Sequence, residues 1–318
     1  MSPILDPQHD LAHPVEGDTA WSESYYFNCY DPDSDCGFFT RIGVRPNEGT
    51  IDVGLSVWAP GGGLAHIRHV VQTDRMVDSD LQVGPVRYRM IEAGKCWNLT
   101  AGGDSSAGPV RMDVTFDALT PLIGADGQNT AGGGASGDTR KMVGKGHLEQ
   151  AGRWSGEISI DGRPVTLGSQ TRGNRDKSWG PRRWGAPRMW RWFSVNIDDA
   201  THFGGIRIGT DSGDLHRGWA WVDGSLRSIK VWEVKTELED DGVTHKRSHV
   251  VAVDKTGDLH ELEGDMLRVE PGTRGIRPGG TVVNEGLARW KYRGKTGYGI
   301  SEYLHQFDDR ARPVVPIE

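Results

Sequence analysis

The densest chemistry in the chain lies between Arg172 and Phe193. This stretch holds four of the twelve tryptophans and six arginines against one carboxylate, Asp176. Tryptophan offers a broad apolar face with a single N–H, and arginine a rigid five-donor fork that also stacks on rings. Asp176 is the nearest carboxylic acid for proton transfer, although Arg175 beside it favours the ionised form. Trp179, Trp190 and Trp192 are suited to facing a developing cation. The same residues also fit a plain Arg–Trp ladder that covers a barrel mouth or joins two domains.

Alternation along a strand sorts the neighbouring side chains by face. Over 189–197, Trp190, Trp192, Ser194 and Asn196 share one face, and Met189, Arg191, Phe193, Val195 and Ile197 the other. Over 215–222, Leu215, Arg217, Trp219 and Trp221 share a face. Indole mixed with hydroxyl, amide and guanidinium is what a ligand-holding lumen needs, so these faces are expected to line one. Packing between domains is the alternative. In the last hairpin, a Gly294-Lys295 turn sets Glu285 opposite Leu304 and makes Glu302 its diagonal neighbour. Two carboxylates so placed in an apolar lumen would keep one protonated. Arg289 and Lys291 on the same face also allow a solvated charge ladder. Tyr298 and Tyr303 are placed to position a water or hydroxyl.

Other chemistries find less support. His147, His202, His216, His249 and His305 are dispersed, with no Gly-x-Ser-x-Gly elbow for a nucleophile. Gly102-Gly103 and Gly132-Gly133-Gly134 lack the Lys-Ser/Thr of a phosphate loop. Cys29, Cys36 and Cys96 show no ligand spacing and read as reduced thiols. No metal and no organic cofactor is expected.

The elements that must position these residues are strands. The 318 residues include 45 glycines, most of them scattered singly, well above the ~7% average, as many short strands and tight turns require. Period-2 patterns mark 50–59, 66–73, 85–93 and 110–118, and then 189–197, 202–209, 215–222, 227–238, 246–254, 259–269, 281–293 and 296–305. A strand–turn–strand spans 154–167 around Asp161-Gly162. The Gly-, Asp- and Ser-rich run 123–140 reads as a linker, and Arg172–Trp184 as a turn-rich segment. The expected fold is all-β, with two barrel-like domains, 1–145 and 146–318.

A net charge of −7 without a basic block argues against nucleic acid as a partner. No stretch approaches the ~18 apolar residues of a membrane span. Met1–Ala20 carries Asp6, Asp10, Glu16 and Asp18 and no apolar run, so it does not read as a signal peptide. A cytoplasmic protein is expected, with a hydrophobic small molecule as partner.

Asp176-Lys177-Ser178-Trp179-Gly180-Pro181-Arg182 resembles the D-H-S-W-G-P-R signature of bacterial proteins related to hydroxyneurosporene synthase (carotenoid 1,2-hydratase). Trp21–Asn28, His147-Leu148-Glu149-Gln150 and Glu285–Tyr303 resemble an uncharacterised bacterial branch of the same lipocalin-like superfamily. The resemblance covers residues 21–305. It implies two consecutive lipocalin-like β domains and cofactor-free chemistry on polyene or terpenoid-like molecules, by hydratases and natural-product Diels–Alderases. The signature's His and Trp are implicated in catalysis in family hydratases. Trp179 matches that Trp, but Lys177 stands where the His would be. The acid is then expected at Asp176, Glu302 or a histidine.

With Asp176, Lys177, Trp179 and Glu302 as catalytic candidates, the expected activity is hydration, dehydration or isomerisation of an isoprenoid- or steroid-like alkene or alcohol. Arg182, Trp190, Trp192, Trp219, Trp221, Tyr298 and Tyr303 are the substrate-binding candidates. The rival reading is a carrier or accessory protein for a hydrophobic ligand, which needs aromatic walls but no acid.

Overall fold

Short β-rich runs separated by Gly- and Asp-containing turns leave the chain nearly all strand. The computed structural model describes residues 4–60, 63–72, 80–126, 144–271 and 276–318. Two units result, Met1–Arg183 and Trp184–Glu318. Most of the glycine-rich run expected as a linker lies outside the described residues.

The first unit opens with a 3-10 turn, Pro7–Asp10, capped by the Asp6 carboxylate, which accepts from Gln8 N. Its strands are β1 (Trp21–Asp31), β2 (Cys36–Arg45), β3 (Thr50–Trp58), β4 (Ala65–Gln72), β5 (Asp80–Val83) and β6 (Val86–Glu92). They continue as β7 (Cys96–Gly103), β8 (Val110–Ala118), β9 (Ile123–Ala125), β10 (Gly146–Ile160), β11 (Arg163–Thr166) and β12 (Arg172–Pro181). The sheet runs β4-β3-β2-β1-β12-β10-β8-β7-β6-β5, with β9 and β11 also paired to β10. The expected boundary at 145/146 therefore falls inside this unit: β10 and β12 pair back onto β8 and β1. The core is aromatic, with Phe27, Phe38, Phe116 and Trp154 meeting edge to face.

Arg172–Pro181 is a strand rather than a turn-rich segment. Its glycines serve close approach: a Cβ on Gly173 would fall 1.9 Å from Asn28 O and 2.7 Å from Trp154 Nε1. Trp154 Nε1 donates to that same carbonyl at 2.8 Å. Gly173→Ala should therefore cost about 1–3 kcal/mol by overpacking, read as a lower denaturant midpoint.

The second unit is a closed barrel of eight consecutive antiparallel strands. These are β13 (Met189–Asp198), β14 (Thr201–Thr210), β15 (Gly213–Val222), β16 (Ser225–Leu238), β17 (His245–Asp254), β18 (Leu259–Pro271), β19 (Thr281–Tyr292) and β20 (Lys295–Gln306). All eight expected strands of 189–305 are present. β20 closes the barrel on β13. Phe193, Val195, Phe203, Trp232, Trp290 and Tyr303 fill its interior.

The last turn differs by one residue from the expected one. Arg293 and Gly294, both with positive φ, form it, and Tyr292 pairs with Lys295. A two-residue primed turn needs φ > 0 at both central positions and favours glycine second. Glu285 is thus directly opposite Glu302, not diagonal to it.

Candidate active site

Strand alternation divides the Asp176–Arg182 motif between two faces of the first sheet. Arg175, Lys177 and Trp179 project to one side, Asp176 and Ser178 to the other. The first group meets an N-terminal segment brought over β12. The second meets side chains of β1 and β10.

On the Lys177 side everything is paired. Lys177 Nζ lies 2.7 Å from Glu23 Oε1, with both side chains 0% exposed. The ammonium also donates to the carbonyls of His9 (2.8 Å) and Leu11 (2.5 Å). Burial lowers the Lys177 pKa, and the Glu23 carboxylate works against that fall. His13 Nδ1 is 2.9 Å from the same Glu23 oxygen, and its ring stacks on Trp179 with centroids 3.8 Å apart. Arg175 grips Asp10 through two nitrogens at 2.6 and 2.8 Å. Asp10 is buried, which alone would raise its pKa, but Arg175 and the Gly94 N–H bring it below the usual carboxylate range. Lys177 and Trp179 therefore anchor residues 9–13. Neither holds a free proton-transfer group.

The other face carries a partly exposed histidine between carboxylates. β10 runs beside β12 so that His147 pairs with Ser178, and Glu149 with Asp176. His147 Nε2 stands 3.2 Å from Asp176 Oδ2 and 3.9 Å from Glu149 Oε1, with the His147 side chain 34% exposed. Burial disfavours the imidazolium, but the hydrogen bond and charge of Asp176, with Glu149 adding, outweigh it. His147 is held above its ordinary value, so a larger share stays protonated near neutrality. Tyr26 is the cross-strand partner of Asp176 on β1. Ser24 and Ser178 hydroxyls meet at 3.0 Å, and Arg182 Nη1 donates to Ser178 Oγ at 2.9 Å. An imidazole, two carboxylates, two hydroxyls and a guanidinium thus share one sheet face.

The remaining candidates belong to the barrel. Parity with the interior residues puts Trp190, Trp192, Trp219, Trp221, Tyr298 and Glu302 on its outer face, and Tyr303 inside. The lumen expected of these tryptophans is corrected accordingly: they point outward, and Phe193, Phe203, Trp232 and Trp290 fill the barrel's middle. Trp190 Nε1 donates to Glu302 Oε1 at 2.8 Å, and Trp192 is the cross-strand partner of Glu302. The expected candidates thus divide between the units: Asp176, Lys177, Trp179 and Arg182 in the first, the rest in the second.

His147 and Glu149 were not singled out as catalytic from sequence. The signal was their presence, two apart, in the His147–Gln150 motif. Among the described residues no group of three His, Cys, Asp or Glu side chains is placed to hold a metal ion. No helix among them is long and apolar enough to cross a membrane.

The family described as "Domain of unknown function (DUF7064)" matches residues 6–307. The chain belongs to that family. No curated protein sequence matches it. Among solved structures, a putative AttH from Nitrosomonas europaea superposes with a TM-score of 0.68 at 16% identity, covering 95% of this chain and 96% of its own. Kievitone hydratase from Nectria haematococca gives 0.60 at 11% identity, covering 95% and 92%. CghA with Sch210972 gives 0.63 at 11% identity, covering 97% and 96%. At these identities the likeness concerns the fold, which this DUF7064 member shares over nearly its whole length.

Proposed function

We propose that this DUF7064 protein is a hydratase-type enzyme that needs no metal or organic cofactor. It adds water to, removes it from, or isomerises a hydrophobic isoprenoid- or steroid-like alkene or alcohol. The observation that carries the reading is the His147–Asp176 contact at 3.2 Å, with Glu149 beside it, on a solvent-reached sheet face.

In the hydration direction, imidazolium His147 gives its proton to one alkene carbon and leaves a carbocation at the other. A water oxygen then bonds to that carbon, and the proton it sheds returns to His147. Asp176 orients the ring and stabilises its charged form between these steps. Dehydration runs the same steps backward, and isomerisation loses a different carbon-bound proton in place of capturing water. The naming of one structural neighbour as a hydratase suits this reading.

A carrier would need the apolar walls and no proton-transfer pair, so His147–Asp176 favours the enzyme. The test is incubation of the purified protein with a panel of terpenoid and steroid alkenes and tertiary alcohols in oxygen-labelled water. Chromatography with mass spectrometry should find label in a hydration product, the loss of one water from an alcohol, or an isomer of unchanged mass, for at least one member. Saturable binding of a panel member with no conversion of any would replace the enzyme by the carrier.

A further inference from the structure

His147 does not stand alone in its row of the sheet. Across three strands the pairing runs His147, Ser178, Ser24, and in the next row Glu149, Asp176, Tyr26. Residues directly opposite each other in antiparallel strands share a face, so each row looks the same way. Two residues along the strand separate the rows, about 7 Å. His147 is rooted in the first row and its Nε2 reaches Asp176 Oδ2 in the second at 3.2 Å, so the imidazole edge lies between them.

The first row is a hydrogen-bond chain with a donor to spare. Arg182, whose backbone N–H is fixed to Ala20 O at 3.0 Å, donates through Nη1 to Ser178 Oγ at 2.9 Å. Ser178 Oγ and Ser24 Oγ are 3.0 Å apart. The two serines carry two hydroxyl hydrogens and make one bond with each other. Whichever way that bond runs, one hydrogen is left without an acceptor among the described residues. Ser24 is 2% and Ser178 5% exposed, and a donor so buried is seldom left unused. Arg182 strengthens it by polarising the chain from its far end.

The same guanidinium bears on the acid. Burial and, less, the Arg182 charge oppose the protonation of His147, against the pull of Asp176 and Glu149. A cation so placed hinders a site that makes only positive charge. It helps one in which an oxygen turns negative.

We infer, on the hydratase-type reading of the His147–Asp176 face, that the Ser24–Ser178 pair binds the carbonyl oxygen of an α,β-unsaturated ketone or aldehyde. An imidazolium is better matched to a carbon made basic by an enolate oxygen than to an isolated double bond. With the oxygen in the hydroxyl row, the α-carbon falls beside His147 and the β-carbon toward Asp176. For these substrates water bonds first. Its oxygen joins the β-carbon while Asp176 takes one of its protons, and the double-bond electrons move through the carbonyl to give an enolate. The serine hydroxyl, backed by Arg182, holds the negative oxygen. His147 then gives its proton to the α-carbon, the carbonyl re-forms, and Asp176 returns its proton to the imidazole across the 3.2 Å contact. One water has been added and both groups are restored. Arg182 acts through Ser178 and is a positioning residue.

The test uses the full-length protein and two matched pairs, geranial with geraniol and β-ionone with β-ionol. On binding, the ultraviolet absorption of geranial and β-ionone should move to longer wavelength, because a hydrogen bond to the oxygen polarises the conjugated system. The double variant Ser24→Ala, Ser178→Ala should lose that shift. It should also lower kcat on the carbonyl compounds by about 10²–10³-fold, the usual cost of an oxyanion donor, with KM moved less. Its fold should survive, since both partners of one bond are replaced together. Arg182→Met should reduce shift and kcat in the same direction, and Arg182→Lys should recover part of both. A shift with no hydration of either carbonyl compound would keep the oxygen site and remove the enzyme reading. Hydration of geraniol or β-ionol as fast as their carbonyl partners would keep the enzyme and overturn the site. So would binding without a shift, a shift that survives the double variant, or failure of both carbonyl compounds to bind.

Discussion

Lys177→Met should lose about 3–5 kcal/mol of stability, the usual cost of leaving one partner of a buried ion pair alone. Glu23 is fully buried and would keep only His13 as a charged or hydrogen-bonding neighbour on that side. The variant also gives up the ammonium that holds the His9 and Leu11 carbonyls. Two readouts should move together. The urea midpoint of the first unit should fall, and residues 4–13 should become sensitive to protease. The double variant Lys177→Met, Glu23→Leu should recover much of the loss, because a buried pair replaced by apolar side chains is often neutral. Protease resistance should not return with it, since the carbonyl anchors stay lost. A Lys177→Met protein with an unchanged midpoint would show that the pair carries no stability.

The same pair shows what could and could not be read in the sequence. The eight barrel strands were legible because each alternates apolar and polar residues between Asp- or Gly-containing turns. β12 was not, because its pattern is charge rather than apolarity. Arg175 and Lys177 sit at interior positions and are made tolerable there by Asp10 and Glu23, which lie far away in sequence. Nothing local announces such a strand. The domain boundary was misplaced for the same reason. Without β12 as a strand, only the pairing of β10 with β8 and β9 ties 146–160 to the first sheet, and no periodicity reveals that pairing.

The site was legible in part. The motif drew attention to Asp176, and alternation implied that Asp176 and Lys177 face opposite ways. Which of them meets an open face depends on the segment carrying His9, Asp10 and His13, whose role no periodicity reveals. His147 needed the β10–β12 register to bring it to Asp176, twenty-nine residues away. In the barrel, face membership was read correctly for Trp190 and Trp192, but in-or-out was reversed. Both faces of β13 are apolar enough to be buried, so alternation alone does not say which side is the interior.

His147→Gln should lower turnover of any substrate found for this protein by about 10²–10⁴-fold, the usual contribution of a positioned general acid. The fold should survive, since the side chain is partly exposed and glutamine can still donate to Asp176. The pH profile is the sharper test. The reaction needs protonated His147, so the rate should be full below its raised pKa and fall as pH rises through it. Asp176→Asn removes the carboxylate charge that outweighs burial, so the fall should move to lower pH. Glu149→Gln should move it the same way by less, as the weaker contributor at 3.9 Å. Stability should follow the same sign. A histidine whose folded pKa is raised contributes fully below its unfolded value, near 6.5, and loses that contribution as pH climbs through the folded one. If Asp176→Asn leaves the descending limb where it was, His147 is not the acid, and the proton must come from elsewhere on the protein.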